Sequence, residues 1–221
     1  MSPAEQHAAR MARFADCGLY VVITEAFCAG RPAVDVLLAC LDAGVRLLQF
    51  REKDLDALEL CRRAEVFRRL TADAGALLIV DDRVDVALAV EADGVHLGQR
   101  DLPIASARRI APGLILGASS HDLAEAQAAQ VAGASYVNIG PIYATQTKQV
   151  ACGALGPEAI DAIAPALTIP FTCMGGLKVH NIGPVLARGA RHIAVVTAVT
   201  AAEDPVAAAC ELMQVIGAGR I

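Results

Sequence analysis

Short apolar runs alternating with glycine-ended helical stretches restrict this chain to a parallel α/β architecture. The runs at 19–23, 45–50, 76–80, 94–97, 114–118, 136–139, 170–174 and 192–196 are too brief for helices, are bounded by polar turns and read as buried strands. Between and after them, 33–43, 55–74, 84–90, 104–110, 123–132, 157–166, 181–187 and 205–216 read as helices. Gly-Val or Gly-Ala precedes a strand at 44–45, 75–76, 133–134 and 189–190, where a helix C-terminus calls for glycine. A doubly wound sheet alternates in the same way. Eight units within 221 residues, with no dinucleotide fingerprint after the first strand, favour a closed (β/α)8 TIM barrel. Ser2, Pro3 and Glu5 supply an N-cap, a first-turn proline and a capping-box acid, which predicts an extra N-terminal helix over 2–15. The expected organisation is one domain over 1–221, with residues 1–16 as a helical arm.

Ala, Val, Leu and Gly dominate and aromatics make up only 4%, the balance expected of parallel strands covered by helices rich in small residues. A net charge of −5 without a basic run argues against a nucleic-acid groove. Seven cysteines, with no C-x-x-C pair, form neither a disulfide framework nor a zinc pattern, so a reducing cytoplasm is expected. No apolar run reaches membrane-spanning length, and Glu5 and Asp16 interrupt any signal-peptide core.

In such barrels the chemistry gathers at the carboxyl ends of the strands. Asp82 and Asp101 follow strands three and four, which a short crossover makes parallel, so two carboxylates at one sheet edge make a candidate Mg²⁺ site. The alternative is that Asp82 caps the next helix and Asp101 begins a turn. Gln49 and Arg51 alternate with Phe50, so both point toward the barrel axis while Phe50 packs outward. Arg51 and Lys53 together suit a diphosphate, although surface ion pairs among Arg51, Glu52, Lys53 and Asp54 are the alternative. Gly175-Gly176, with Val196-Thr197, matches the common barrel phosphate site or else a plain strand-to-helix turn. Thr145, Thr147 and Lys148 lie in a loop of about 17 residues, long enough to be a lid or filler. His121 is a candidate acid or base, or else makes a helix-start hydrogen bond. His96 reads as a satisfied barrel residue, and Cys173 as barrel filling.

QFREK at 49–53, DDR at 81–83, HLGQRD at 96–101, GASSH at 117–121, GPIYATQTK at 140–148, MGG at 174–176 and VVTAV at 195–199 all fall at expected strand ends. In this order the motifs resemble the thiamine phosphate synthase (thiamine-phosphate pyrophosphorylase) family, and the likeness runs from Leu19 to Pro205. The resemblance implies a Mg²⁺-dependent transferase that joins hydroxymethylpyrimidine diphosphate to a thiazole phosphate, carboxylated or not, and releases pyrophosphate. By the same resemblance Gln49, Arg51, Lys53, Ser119 and Lys148 hold the pyrimidine diphosphate, with Arg51, Lys53, Ser119 and Lys148 as the catalytic set. Phe50, Glu52 and Asp81 complete that side of the substrate site. Asp82 and Asp101 bind Mg²⁺, while Thr145, Thr147, Gly176, Val196 and Thr197 hold the thiazole phosphate.

Three positions depart from the family pattern. Asp81 stands where the family usually has Asn, and its carboxylate would repel a diphosphate unless protonated or drawn to a metal. IGGI and VVSAI become MGGL and VVTAV, which keeps small size or a hydroxyl. A sister thiazole tautomerase carries a His where this chain has Pro141. That isomerase and a non-catalytic sensor of phosphorylated ligands are the alternatives, and a homodimer is a further expectation.

Overall fold

Each strand pairs in parallel with the next, and Leu19 on the first strand registers with Ile193 on the last, so the sheet closes as an eight-stranded barrel. The computed structural model describes residues 1–147 and 153–219. Its strands are β1 (Leu19–Ile23), β2 (Leu47–Phe50), β3 (Leu77–Asp81), β4 (Gly94–Leu97), β5 (Ile115–Ser120), β6 (Tyr136–Ile139), β7 (Phe171–Met174) and β8 (His192–Val195). The helices are α1 (Pro3–Asp16), α2 (Ala33–Asp42), α3 (Ala57–Asp73), α4 (Val84–Ala89), α5 (Ile104–Ile110), α6 (Leu123–Val131), α7 (Ala159–Ile163), α8 (Gly183–Leu186), α9 (Thr197–Thr200) and α10 (Pro205–Ala218). Among the described residues no helix is long and apolar enough to cross a membrane.

The period of two along each strand divides the apolar residues between two cores. Leu47 on β2, Leu77 and Ile79 on β3, Ile115 on β5 and Tyr136 on β6 fill the barrel interior. Leu48, Phe50, Leu78, Val80, Leu116 and Val137 face the helical layer instead. Phe50 packs on Phe67 of α3 with ring centroids 4.8 Å apart. Inward rows therefore run up the strands into polar ends: Leu47 leads to Gln49, and Leu77 and Ile79 lead to Asp81.

The N-terminal arm does more than precede the barrel. Ser2 and Glu5 form the expected reciprocal capping box on α1. At the other end of α1, Phe14 is fully buried in the interior core, stacked 4.9 Å from Tyr136 and tilted against His192 at 4.7 Å. It closes the amino-terminal mouth. Asp93 anchors the same end, accepting hydrogen bonds from Leu78 N at 3.0 Å and Arg68 at 2.5 Å and pairing with Arg10 at 3.4 Å.

Several boundaries differ from the sequence expectation. β5 continues through Ser120 rather than ending at 118, so Ser119 is held by the sheet itself. The helix expected over 157–166 stops at Ile163 and continues as a 3₁₀ turn over Ala164–Ala166, because Pro165 has no N–H for a further α-helical bond. Two unexpected short turns of helix, Glu25–Phe27 and α9, follow β1 and β8 at the carboxyl-end mouth.

Candidate active site

At the carboxyl-end mouth a chain of hydrogen bonds crosses the barrel interior. Gln49 Nε2 donates to Tyr20 Oη at 2.5 Å, the Tyr20 and Tyr136 hydroxyls lie 3.2 Å apart, and His96 Nδ1 lies 3.0 Å from Tyr136 Oη. His96 Nε2 then meets Ser119 Oγ at 3.0 Å, and Gln99 Nε2 donates to Ser119 O at 2.6 Å. Gln49 and Ser119, on different strands, are thus oriented by one continuous polar core. Its packing depends on Gly117. A Cβ there would lie 2.2 Å from Tyr136 Cζ and 2.6 Å from His96 Nδ1, so no larger residue fits without displacing both.

Above this layer three carboxyls meet two cations. Asp81 Oδ2 lies 2.7 Å from Lys53 Nζ and 3.4 Å from Arg51 Nε. Arg51 also donates to Thr24 Oγ1 at 3.3 Å, and Lys53 also contacts the Asp82 carboxylate. Burial, and then the charge of Asp82, push the Asp81 carboxyl above its usual range against the pull of Lys53 and Arg51. Burial would lower the Lys53 pKa, but Asp81 and Asp82 outweigh it and the ammonium is favoured.

Asp82 and Asp101 lie within hydrogen-bonding reach of each other. Burial and the bond to Asp82 raise Asp101. Burial also works to raise Asp82, but bonds with Lys53 and Asp101 outweigh it and hold the carboxyl below its usual range. Asp82 adopts a left-handed backbone with φ of 59°, a conformation that Asp tolerates better than most residues. It does not cap α4, whose N-cap is Arg83. Two adjoining carboxyls, one raised and one lowered, form a donor set that a hard divalent cation suits. Among the described residues no group of three or more His, Cys, Asp or Glu could hold a metal, so any such ion needs further oxygens from its ligand, as Mg²⁺ takes from phosphates.

Across the mouth, Gly175 and Gly176 have φ of 105° and 60°. A Cβ on Gly176 would lie 2.6 Å from Ala144 O, so the backbone of the long loop approaches closer than any side chain permits. Thr145 and Thr147, joined by a 3.0 Å hydroxyl contact, border both this basin and the central pocket. Gly176 and Thr197 line the basin, and Val196 lines the central pocket.

The structure therefore gathers Gln49, Arg51, Asp81, Ser119, Thr145, Thr147 and Val196 around one pocket. Lys53, Asp82 and Asp101 stand at its acidic rim, and Gly176 and Thr197 lie in the adjoining basin. Two of the expected substrate positions turn away. Phe50 faces the helices, as its place in the strand alternation requires, and Glu52 accepts from Glu25 N at 2.7 Å, tying β2 to the turn after β1. Lys148 lies outside the described residues. His121 makes the helix-start bond, its backbone N and Nδ1 both 2.8 Å from Glu125 Oε2, while also lining the pocket. Burial pushes the Cys173 thiol up to about 12, which leaves it inert as a nucleophile. Asn138, which is not among the residues expected from the sequence, lines the pocket and accepts from Thr172 Oγ1 at 2.9 Å. Its signal was a polar amide at an inward position of an otherwise apolar strand.

Comparisons with known proteins point one way. Residues 19–199 match the TMP-TENI family, described as thiamine monophosphate synthase. A thiamine-phosphate synthase of Moorella thermoacetica is 44% identical over 203 residues, covering 91% of this chain and 97% of that protein. Another, from Chlorobium luteolum, is 46% identical over 188 residues, covering 85% and 89%. Among solved structures, the thiamine phosphate pyrophosphorylase of Pyrococcus furiosus superposes with a TM-score of 0.86 at 37% identity, covering 94% of this chain and 98% of that one.

Proposed function

The chain belongs to the thiamine monophosphate synthase family, transferases of thiamine biosynthesis, and we propose that its mouth performs the transfer by a dissociative route. The observation that carries this reading is the pairing of two unlike anion sites in one opening. One is a cationic and acidic rim of Arg51, Lys53, Asp82 and Asp101; the other is a neutral glycine cradle at Gly176 and Thr197.

The diphosphate of hydroxymethylpyrimidine diphosphate lies against Arg51 and Lys53; the family resemblance assigns Lys148, outside the described residues, to the same group. Arg51 offers a fork of donors and Lys53 a compact charge. Gln49 and Ser119 orient the pyrimidine ring through the polar core beneath them. Asp82 and Asp101 would hold Mg²⁺, which when bound would offset the charge of the leaving diphosphate. The bond between the methylene carbon and the diphosphate oxygen breaks with its electron pair leaving on pyrophosphate. The aminopyrimidine stabilises the resulting cation, and the thiazole nitrogen lone pair forms the new C–N bond. Thr145, Thr147, Gly176, Val196 and Thr197 place the thiazole phosphate for that attack, and closure of the loop excludes water that would compete for the cation. The route requires no protein nucleophile, in keeping with the raised thiol of Cys173. An isomerase acting on the thiazole alone has no use for the Arg51, Lys53 and Asp82 cluster.

The test is pyrophosphate release by purified protein given pyrimidine diphosphate, thiazole phosphate and Mg²⁺, with each omitted in turn. Release that needs all three and matches thiamine phosphate formed is the expected result. Release without thiazole phosphate would show that water captures the cation and would overturn the proposed closure.

A further inference from the structure

The glycine cradle has a charge deficit. A phosphate monoester carries roughly −1.5 to −2 at neutral pH, whereas Gly176, Thr197, Thr145 and Thr147 offer only neutral donors. Arg51 and Lys53 stand on the opposite rim, paired with Asp81 and Asp82 and assigned to the diphosphate, so neither serves this phosphate. Among the described residues the basin is lined by no carboxylate, and its basic side chains are Lys178 and His180.

We propose that Lys178 completes the thiazole-side phosphate subsite, supplying the positive charge that the cradle lacks and selecting for a phosphorylated over an unphosphorylated thiazole. The proposal rests on the reading above that Gly176 and Thr197 receive the phosphate.

Three observations carry it. The backbone of Lys178 is fixed to the cradle: Asn181 Oδ1 accepts from Lys178 N at 2.7 Å while Asn181 Nδ2 donates to Gly176 O at 2.9 Å. Tyr143, from the loop on the other side of the basin, donates its hydroxyl to Asn181 O at 3.1 Å, so one asparagine ties Gly176, Lys178 and the loop together. Finally, Lys178 is exposed and forms no ion pair among the described residues, unlike Lys53, so its ammonium is free to turn to a ligand. A strongly hydrated, flexible ammonium suits a phosphate whose oxygens are already partly held by backbone N–H groups, because it adds charge without demanding a second rigid geometry.

The test is steady-state kinetics on Lys178→Ala and Lys178→Arg with each substrate varied. Lys178→Ala should raise the KM for thiazole phosphate about tenfold, the scale of a lost charge-assisted hydrogen bond, with kcat and the KM for pyrimidine diphosphate unchanged. Lys178→Arg should restore most of the loss. With the unphosphorylated thiazole alcohol, natural chain and Lys178→Ala should perform alike. A folded Thr197→Val variant separates the two ideas. If Thr197→Val raises the KM for thiazole phosphate and Lys178→Ala does not, Lys178 has no part in the subsite. If neither variant changes it, the phosphate lies elsewhere and the underlying reading falls as well.

Discussion

Lys53 Nζ lies 2.7 Å from the Asp81 carboxylate, and Arg51 Nε approaches the same oxygen at 3.4 Å. Both cations proposed for the diphosphate are thereby held at the strand end. The Asp81 carboxylate is buried, where an ion pair is screened less than at the surface. A diphosphate must compete with it for the same charges.

Replacing Asp81 with Asn keeps the size and removes the competitor. Asp82 still contacts Lys53, so the ammonium is not left alone. Asp81→Asn is expected to lower the KM for pyrimidine diphosphate by up to about tenfold, the scale of one charge-assisted contact, with kcat little changed. Substrate-saturation curves for the two proteins decide it. A higher KM would show instead that the carboxylate positions the cations productively.

The acid pair makes a separate prediction. Asp82→Ala should abolish Mg²⁺-dependent activity while leaving the far-ultraviolet circular dichroism intact, since Asp82 caps no helix. Chelation of the natural protein should abolish pyrophosphate release, and added Mg²⁺ should restore it. A folded Asp82→Ala protein with unchanged Mg²⁺ dependence would remove Asp82 from the metal site.

How far these features could be read beforehand follows from their physical origin. The alternation of strands and helices, the outward turn of Phe50 and the acids after β3 and β4 all follow from periodicity and turn chemistry, which are local. The role of Phe14 was not legible, because a phenylalanine on an amphipathic helix gives no sign that it will enter a barrel 122 residues before its stacking partner Tyr136. The same holds for the path from Gln49 to Ser119, whose members lie on five strands and meet only once the barrel closes. Asp81 stands out only through the family resemblance, which expects Asn there. That it would grip Lys53 and Arg51 needed the strand register that brings β2 beside β3.

Gly117→Ala tests the polar path directly. The new methyl would overlap Tyr136 and His96, and overpacking of this kind costs about 1–3 kcal/mol, a fall in Tm of roughly 2–4 °C per kcal/mol for a chain of this size. Displacing His96 also disturbs Ser119, so the KM for pyrimidine diphosphate should rise while that for thiazole phosphate holds. Calorimetry and the two saturation curves separate the stability effect from the binding effect. Equal rises for both substrates would mean that the barrel has deformed as a whole.

The docking of α1 should depend on pH through His7. Its Nε2 lies 2.8 Å from Ser135 Oγ, and the same oxygen accepts from Leu116 N at 2.9 Å and Arg108 Nη2 at 2.9 Å. A hydroxyl has two lone pairs and one proton, so with both lone pairs engaged Ser135 donates its proton and Nε2 must be the acceptor. Protonated imidazole has no acceptor nitrogen and would also face Arg108 and Arg10. Burial first, then these two guanidinium charges, hold the His7 pKa below 6.5. The unfolded chain therefore takes up the proton before the folded one. The stabilising effect of neutral His7 is complete above about pH 6.5 and is lost as the pH falls from there through the folded pKa. His7→Gln retains an acceptor without titrating. Between about pH 7.5 and pH 5 the natural chain should lose about 2 °C more in Tm than His7→Gln, a modest figure because the site is partly solvated. Parallel melting curves across that range would show that Ser135 holds α1 equally well whatever the charge on His7.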